Sequence, residues 1–436
     1  MSNSNVFCNT PWYEAHIYWD GSFGICCQES RKLYPSTDTQ YNIKTMSLAD
    51  WFNSPPVRAF RMEMFSSDGT PTCNRCYNEQ RAGGTSRRHR SNQKSVIFTK
   101  QAFDLSYKQS PGYPHFAFSR EMGGITDTLP IDLHIDLGNH CNLACKMCWP
   151  GASTRIASQY AKWNIEGSTQ YLGVDWTKDA TTWQRFLNEV VAIPKLKNLH
   201  LMGGETLLSP RFEELVDFMT LHNRFDVSFS FVTNGTVYRP ELIEKLSKFN
   251  RVGIEISIET TTKHNDYIRQ GSNVEEVLAN IQRYKQLCNQ PNLSLTIRPA
   301  ISLLSVGYYH TLLRYCLAND LLIKSLIVTE PSYLNAKALP QTVREQYLSE
   351  YFTIRDELAD IDITNDYNES DVNNVKHSIK HQAEQVIRLL DFIQVMGYEA
   401  QLESAVHWMS KWDKEFGFDA RELYPEFIPA LELYGY

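Results

Sequence analysis

From Ile131 onward the chain alternates six short apolar runs with six amphipathic stretches, and no other pattern narrows the fold as far. The runs are Ile131–Leu137, Leu196–Met202, Asp226–Val232, Val252–Ile258, Leu293–Ser302 and Leu322–Thr329. Helical periodicity is read near Ala152–Trp163, Thr182–Ala192, Pro210–Leu221, Pro240–Phe249, Val274–Cys288 and Gly307–Asn319. Strands separated by one-sided helices build a parallel sheet, so the expected class is α/β. Asn164–Thr181 reads as an insertion between the first two helices. In parallel barrels the chemistry gathers at the carboxyl ends of the strands. Residues just after each run are therefore the first candidates for a site.

The first run opens into IDLHIDLGNHCNLACKMCWP, which places Cys141, Cys145 and Cys148 at C-x3-C-x2-C spacing. Three thiols without a fourth Cys or a His close behind do not complete a closed tetrahedral zinc site. An iron–sulfur cube held by three thiolates leaves one iron open. On spacing alone, a zinc site finished by a distant ligand and buried structural thiols stay open as alternatives. Gly203-Gly204-Glu205 follows the second run, with glycines that admit a close backbone approach and a carboxylate that can accept from an ammonium. Asn234 in Thr233-Asn234-Gly235 is either a ligand or part of a simple N-G turn. Ser257 and Glu259 can hydrogen-bond a ribose or carboxylate, and Arg269 offers a fork to a carboxylate. Arg298 and Glu330 occupy similar places, Arg298 reading more readily as half of a buried ion pair.

Residues 1–80 form a cysteine-bearing unit of their own. A hairpin turning at Asp20-Gly21 brings Cys8 and the Cys26–Cys27 pair to one end. Short helical stretches at Ser47–Trp51 and Val57–Arg61 flank Pro55-Pro56, and Cys73-Asn-Arg-Cys76 follows. Cys8, Cys26, Cys73 and Cys76 make a complete four-thiolate set on a unit too small to fold on a core alone, and a metal supplies the missing stability. Zinc and a [4Fe–4S] cluster both suit four cysteines.

The Cys141–Cys148 loop, with Asn142-Leu143 after the first Cys and Met147 before the last, resembles the radical S-adenosylmethionine (SAM) superfamily. That resemblance implies a partial (β/α)6 TIM-like barrel and a [4Fe–4S] cluster on Cys141, Cys145 and Cys148. The open iron of the cluster would chelate SAM. Reductive cleavage of SAM would give a 5′-deoxyadenosyl radical that abstracts hydrogen from a substrate. Met147 stands where the family usually has an aromatic residue near the adenine. Gly203, Gly204 and Glu205 resemble the motif holding the SAM amino group. Ser257, Glu259 and Arg269 resemble an "SxD … R" arrangement, with Glu in place of Asp. The N-terminal run C-x12-G-x4-C, then Asn42-Ile43, SLADWFNS, Arg61 and C-x2-C, resembles the SPASM module in its shortened, one-cluster twitch form. It implies one auxiliary [4Fe–4S] cluster on Cys8, Cys26, Cys73 and Cys76, with Cys27 able to replace Cys26. Such modules usually follow the catalytic domain; here the module precedes it. The resemblance further implies oxidation, cross-linking or epimerisation of a peptide, and a flavodoxin- or ferredoxin-type reductant. A small-molecule substrate, or a nucleotide, sugar or RNA, is the alternative within the superfamily, and a non-catalytic zinc-binding interaction protein is the alternative outside it.

Composition agrees. Only Cys288 and Cys316 of the ten cysteines stand alone, a grouping that favours metal ligation over disulfides in a reducing compartment. A net charge of −7 gives no general attraction to nucleic acid. No apolar run is long enough to span a membrane, and the N-terminus does not read as a signal peptide, so the expected location is the cytoplasm. The expected plan is a cluster domain at 1–80, a basic and aromatic linker at 81–130, the barrel at 131–335 and a helical extension at 336–436. Arg81–Lys94 reads as a solvated part of the linker. The extension holds helices at Gln341–Ala359 and Val372–Met396 around an acidic stretch, then an aromatic end from His407 that either caps the barrel or recognises substrate. No catalytic acid is assigned, and His134 and His140 are given no chemistry.

Overall fold

The computed structural model describes residues 6–29, 40–65, 69–81, 86–94, 113–361, 374–391 and 399–436. Positions 362–371 of the acidic stretch, and 82–85 and 95–112 of the expected linker, lie outside these residues. The chain divides into two compact units. The first is Met1–His140, Glu166–Phe231 and Glu244–Val252; the second is Cys141–Ile165, Val232–Ile243 and Gly253–Tyr436.

In the first unit, β1 (Glu14–Ile17) and β2 (Phe23–Gly24) form the expected hairpin. Its turn needs Gly21, which sits at φ +86° and whose carbonyl accepts from Ile43 N at 2.7 Å. Strand β1 also pairs in parallel with β3 (Asp132–Asp136), β3 with β4 (Asn198–Met202), and β4 with β5 (Ser228–Thr233). The pairing of β1 with β3 was not legible in the sequence, because strands 115 residues apart share only a generic polar–apolar alternation. One face of this sheet is apolar and buried: Ala15, Ile17, Leu133, Ile135, Leu199, Leu201, Phe229 and Phe231. The helix Ala180–Ala192 adds Trp183, Phe186, Leu187 and Val190 to the core. The opposite face carries His16, His134, His200 and Ser230 in one transverse row, since each is register partner of the next. The insertion after Asn164 folds as 3-10 turns, and its buried Trp176 donates from Nε1 to the Asp136 carbonyl at 3.0 Å.

In the second unit, β6 (Val252–Ile256) neighbours β7 (Leu293–Ile297), which pairs in parallel with β8 (Leu322–Ile323). Arg298 N donates to Ile256 O at 2.8 Å, and Ser257 N to Thr233 O at 2.9 Å. The run Leu293–Ser302 is not one strand. Pro299 has no N–H to give a ladder, and beyond it Ala300–Ile301 pairs in parallel with Leu326–Ile327 instead. Helices Val274–Leu287 and Tyr309–Ala318 follow their strands. The C-terminal region is helical, with Gln341–Glu357, Val375–Leu390 and Glu399–Phe416. Among the described residues, no helix is long and apolar enough to cross a membrane.

Candidate metal centres

The three-cysteine loop leaves its strand at Gly138 and runs through Cys141, Cys145 and Cys148. Cys141, Leu143 and Cys145 form a small buried cluster on which Met147 and Cys148 pack. Burial pushes the Cys145 thiol up and raises Cys148 to about 11, so the free thiols are protonated and a bound metal would displace those protons. The loop is braced from several sides. Ala144–Cys145 pairs antiparallel with Arg269–Gln270, placing Cys145 opposite Arg269. Arg269 Nη1 donates to Cys145 Sγ at 3.7 Å. Its Nε and Nη2 grip fully buried Glu259 at 2.5 and 2.6 Å. Ser153 Oγ donates to Leu143 O at 2.8 Å while capping the helix Thr154–Lys162. Asn142 Oδ1 accepts from Asn234 Nδ2 at 2.8 Å.

These contacts add to two of the sequence expectations. Glu259 and Arg269, expected to meet a ligand separately, are joined to each other as a buried bidentate pair. Asn234 is neither a bare turn residue nor directed only outward, because its amide holds the cysteine loop. Ser257 lies half-buried at the end of β6, as expected of a strand-end residue. Arg298 is paired with Glu255 at 3.0 Å, as the ion-pair reading expects, but both side chains are about a quarter exposed, so the pair is not buried.

In the first unit, Gly203 and Gly204 have φ of +95° and +40°. A Cβ on Gly203 would fall 2.3 Å from Gly138 O, and one on Gly204 2.0 Å from His140 O. The glycines thus admit a close approach of backbone to backbone, and Glu205 N donates to His140 O at 2.8 Å. Glu205 is buried, and its Oε1 accepts from Leu207 N at 3.1 Å.

The second centre lies wholly in the first unit. Cys8, Cys26, Cys73 and Cys76 line one cavity, together with Arg87 and Arg88. The 3-10 turn Pro71–Cys73 runs into the helix Asn74–Arg81, which sets Cys73 and Cys76 three residues apart on one side. Cys8 Sγ donates to Thr10 Oγ1 at 3.1 Å, and burial raises its thiol to about 11. Burial also raises Cys26 and Cys73. Four thiols around one cavity, Cys8 and Cys76 buried and Cys26 and Cys73 partly so, suit the donor set of a metal centre. Cys27 does not line the cavity; its sulfur is grouped with Glu14 and His134 within 4.8 Å. Nearby, fully buried Arg61 holds Pro11 O at 2.9 Å and Gly124 O at 3.0 Å.

Arg87–Lys94 is a helix, and the expectation of a solvated stretch fails at Arg87 and Arg88. Arg87 Nη2 donates to Glu14 Oε2 at 2.5 Å and to His134 Nε2 at 2.9 Å. Burial works against the Arg87 charge, but Cys27, Glu14 and Cys26 outweigh it and hold the guanidinium cationic. His134 is kept neutral by burial and by Arg87. A basic residue in a Gly- and Ser-rich stretch carries no sequence mark of an internal partner.

Lys146 is a second residue the sequence did not single out. It is buried, bonds Tyr267 O, and has the rings of Tyr267, Trp412 and Phe418 at 3.5, 5.2 and 5.5 Å. The helix Glu399–Phe416 therefore packs on the cysteine loop itself. Trp412 and Phe416 line a cavity with Cys145, Cys148, Tyr160 and Trp163.

Residues 135–297 match the Radical SAM superfamily, and residues 8–77 match an iron–sulfur cluster-binding domain, SPASM. Over 141 residues the chain is 30% identical to mycofactocin maturase MftC of Mycobacterium tuberculosis, covering 32% of this chain and 30% of that protein. Over 147 residues it is 24% identical to the sporulation killing factor maturation protein SkfB of Bacillus subtilis, covering 34% and 30%. Streptococcus suis SuiB bound to precursor peptide SuiA is similar at 16% identity and a TM-score of 0.38, over 69% of this chain and 63% of that one. The chain spans about 30% of the length of the curated relatives it matches.

Proposed function

We propose that this chain, a radical SAM protein with an iron–sulfur cluster-binding domain ahead of its radical SAM domain, is an enzyme that cleaves SAM and modifies a peptide. The observation that carries the reading is the loop of Cys141, Cys145 and Cys148, packed in apolar surroundings and tied to Arg269, inside the residues that match the Radical SAM superfamily; over part of its length the chain also resembles one protein named as a maturase and one named as a maturation protein. Cys141, Cys145 and Cys148 would hold the SAM-binding [4Fe–4S] cluster, and Cys8, Cys26, Cys73 and Cys76 an auxiliary one. Bound there, the catalytic cluster and SAM would supply a 5′-deoxyadenosyl radical.

The chain's own residues would do the rest. Arg269, clamped by Glu259, fixes Cys145 and offsets thiolate charge. Asn234 holds the loop through Asn142. Met147 and Ser257 would contact SAM, and Glu205 with Gly203 and Gly204 would serve its amino group. The Trp412 and Phe416 rings keep water from Cys145 and Cys148. The helix ending at Lys94 lines the auxiliary cavity, so we extend the cluster domain to that residue. A barrel at 131–335 and a helical extension from 336 complete the plan. A flavodoxin- or ferredoxin-type reductant and a cytoplasmic location suit such clusters. With Arg87 and Arg88 engaged internally, the basic stretch gives no support to an RNA substrate.

Anaerobic reconstitution tests the reading. About eight irons per chain, about four in Cys141→Ala/Cys145→Ala/Cys148→Ala, and 5′-deoxyadenosine only from the parent protein are expected. Zinc in place of iron, or iron without SAM cleavage, would overturn it.

A further inference from the structure

Arg87 and Arg88 both line the four-cysteine cavity, and each has a buried Nε–H without a hydrogen-bond partner. Buried donors are seldom left unmade. The far ends of both side chains are already committed: Arg87 Nη2 to Glu14 and His134, Arg88 to Phe7 O at 2.9 Å and Gln80 Oε1 at 2.5 Å. What both lack is an acceptor for Nε–H beside the cavity that they line, and the sulfur atoms of a cluster held there would be such acceptors.

Glu14, Cys27 and His134 bring ligand atoms within 4.8 Å and by composition could hold a small cation. The Arg87 guanidinium already bonds both Glu14 and His134 and supplies the positive charge that this group calls for. The trio thus serves to hold Arg87 in place.

We propose that Arg87, seconded by Arg88, sets the reduction potential of the auxiliary cluster, making it a better electron acceptor. The proposal rests on the auxiliary-cluster reading above. Reduction adds one electron and takes the [4Fe–4S] core from 2+ to 1+, with no bond broken and no proton taken up. The donor is the substrate radical in the proposed activity and dithionite in the test. The reduced centre carries one more negative charge, so adjacent cations and N–H···S hydrogen bonds stabilise it more than the oxidised one. Glu14 opposes this by neutralising Arg87, which gives the proposal a prediction of opposite sign.

The test uses the full chain carrying Cys141→Ala/Cys145→Ala/Cys148→Ala, which retains only the auxiliary site. Iron content is counted first, and the reduced cluster is then titrated by EPR. Arg87→Gln should lower the midpoint potential, Arg88→Gln should lower it less, and Arg87→Lys should recover part of the loss. Glu14→Gln should raise it. A loaded Arg87→Gln protein with an unchanged midpoint overturns the proposal. If Arg87→Gln fails to load, an unchanged midpoint in Glu14→Gln overturns it instead. A parent without iron overturns the auxiliary cluster itself, an outcome separate from a loaded cluster insensitive to Arg87.

Discussion

Arg269 and Cys145 face each other as register partners of a two-residue antiparallel pair, and the guanidinium donates to the thiol at 3.7 Å while Glu259 holds its other edge. A candidate cluster ligand is thereby tied to a buried ion pair. Such pairs act as units, because removing one partner leaves the other charge buried and uncompensated.

Glu259→Gln should therefore destabilise the fold by about 3–5 kcal/mol, more than a surface pair would. The same change should lower iron retained at the three-cysteine site, measured in a protein whose Cys8 and Cys76 are replaced. Denaturant unfolding that matches the parent would show that Arg269 has another partner.

The approach of Gly204 to His140 makes a sharper steric prediction. With a Cβ 2.0 Å from the His140 carbonyl, Gly204→Ala cannot be accommodated without moving the cysteine loop, and should cost about 2 kcal/mol or more. Gly173→Ala is the control: it shares a positive φ of 73° but has nothing within 4 Å, and should cost about 1 kcal/mol. Equal melting temperatures for the two variants would contradict the contact.

His134 links stability to pH. Burial first, and then Arg87, hold it neutral in the folded chain at a pH where the unfolded chain takes up a proton. Below about pH 6.5 the unfolded state binds more protons, so stability falls as pH falls. His200 and His16 face it and raise the cost of its charge, and Glu14 approaches it at 3.7 Å. His134→Gln should remove up to about 1.4 kcal/mol per pH unit from the slope between about pH 5 and 6.5. Parallel denaturation curves for variant and parent would exclude the effect.

Trp412 joins the C-terminal helix to the cysteine loop through the Lys146 ammonium. Trp412→Ala should cost about 3–5 kcal/mol as a buried aromatic truncation. It should also speed loss of the catalytic cluster in air, followed by bleaching of its visible absorbance. Unchanged bleaching would leave the helix a packing element only.

Much of this was open to reading along the chain, because the signals are local. Strand–helix alternation follows from periodicities of 2 and 3.6 residues, and Pro210–Leu221 falls where that spacing places it. The spacings within Cys141–Cys148 and within Cys73–Cys76 mark candidate metal ligands, since thiols so close in sequence cannot be far apart in space; Cys8 and Cys26 join the second set only through the fold. The tertiary structure decided what depends on distant segments meeting. Cys26 lines the four-cysteine cavity, whereas the Cys27 sulfur lies by Glu14 and His134. Glu259 takes Arg269, and Glu14 takes Arg87 across 73 residues, because a buried charge must find whichever partner the packing brings to it. The sequence by itself determined which groups are candidates to bind metal and where strands and helices alternate; only the fold determined where strands such as Leu293–Ile297 stop and which charges meet, since ion pairing depends on proximity in space and leaves no period in the chain.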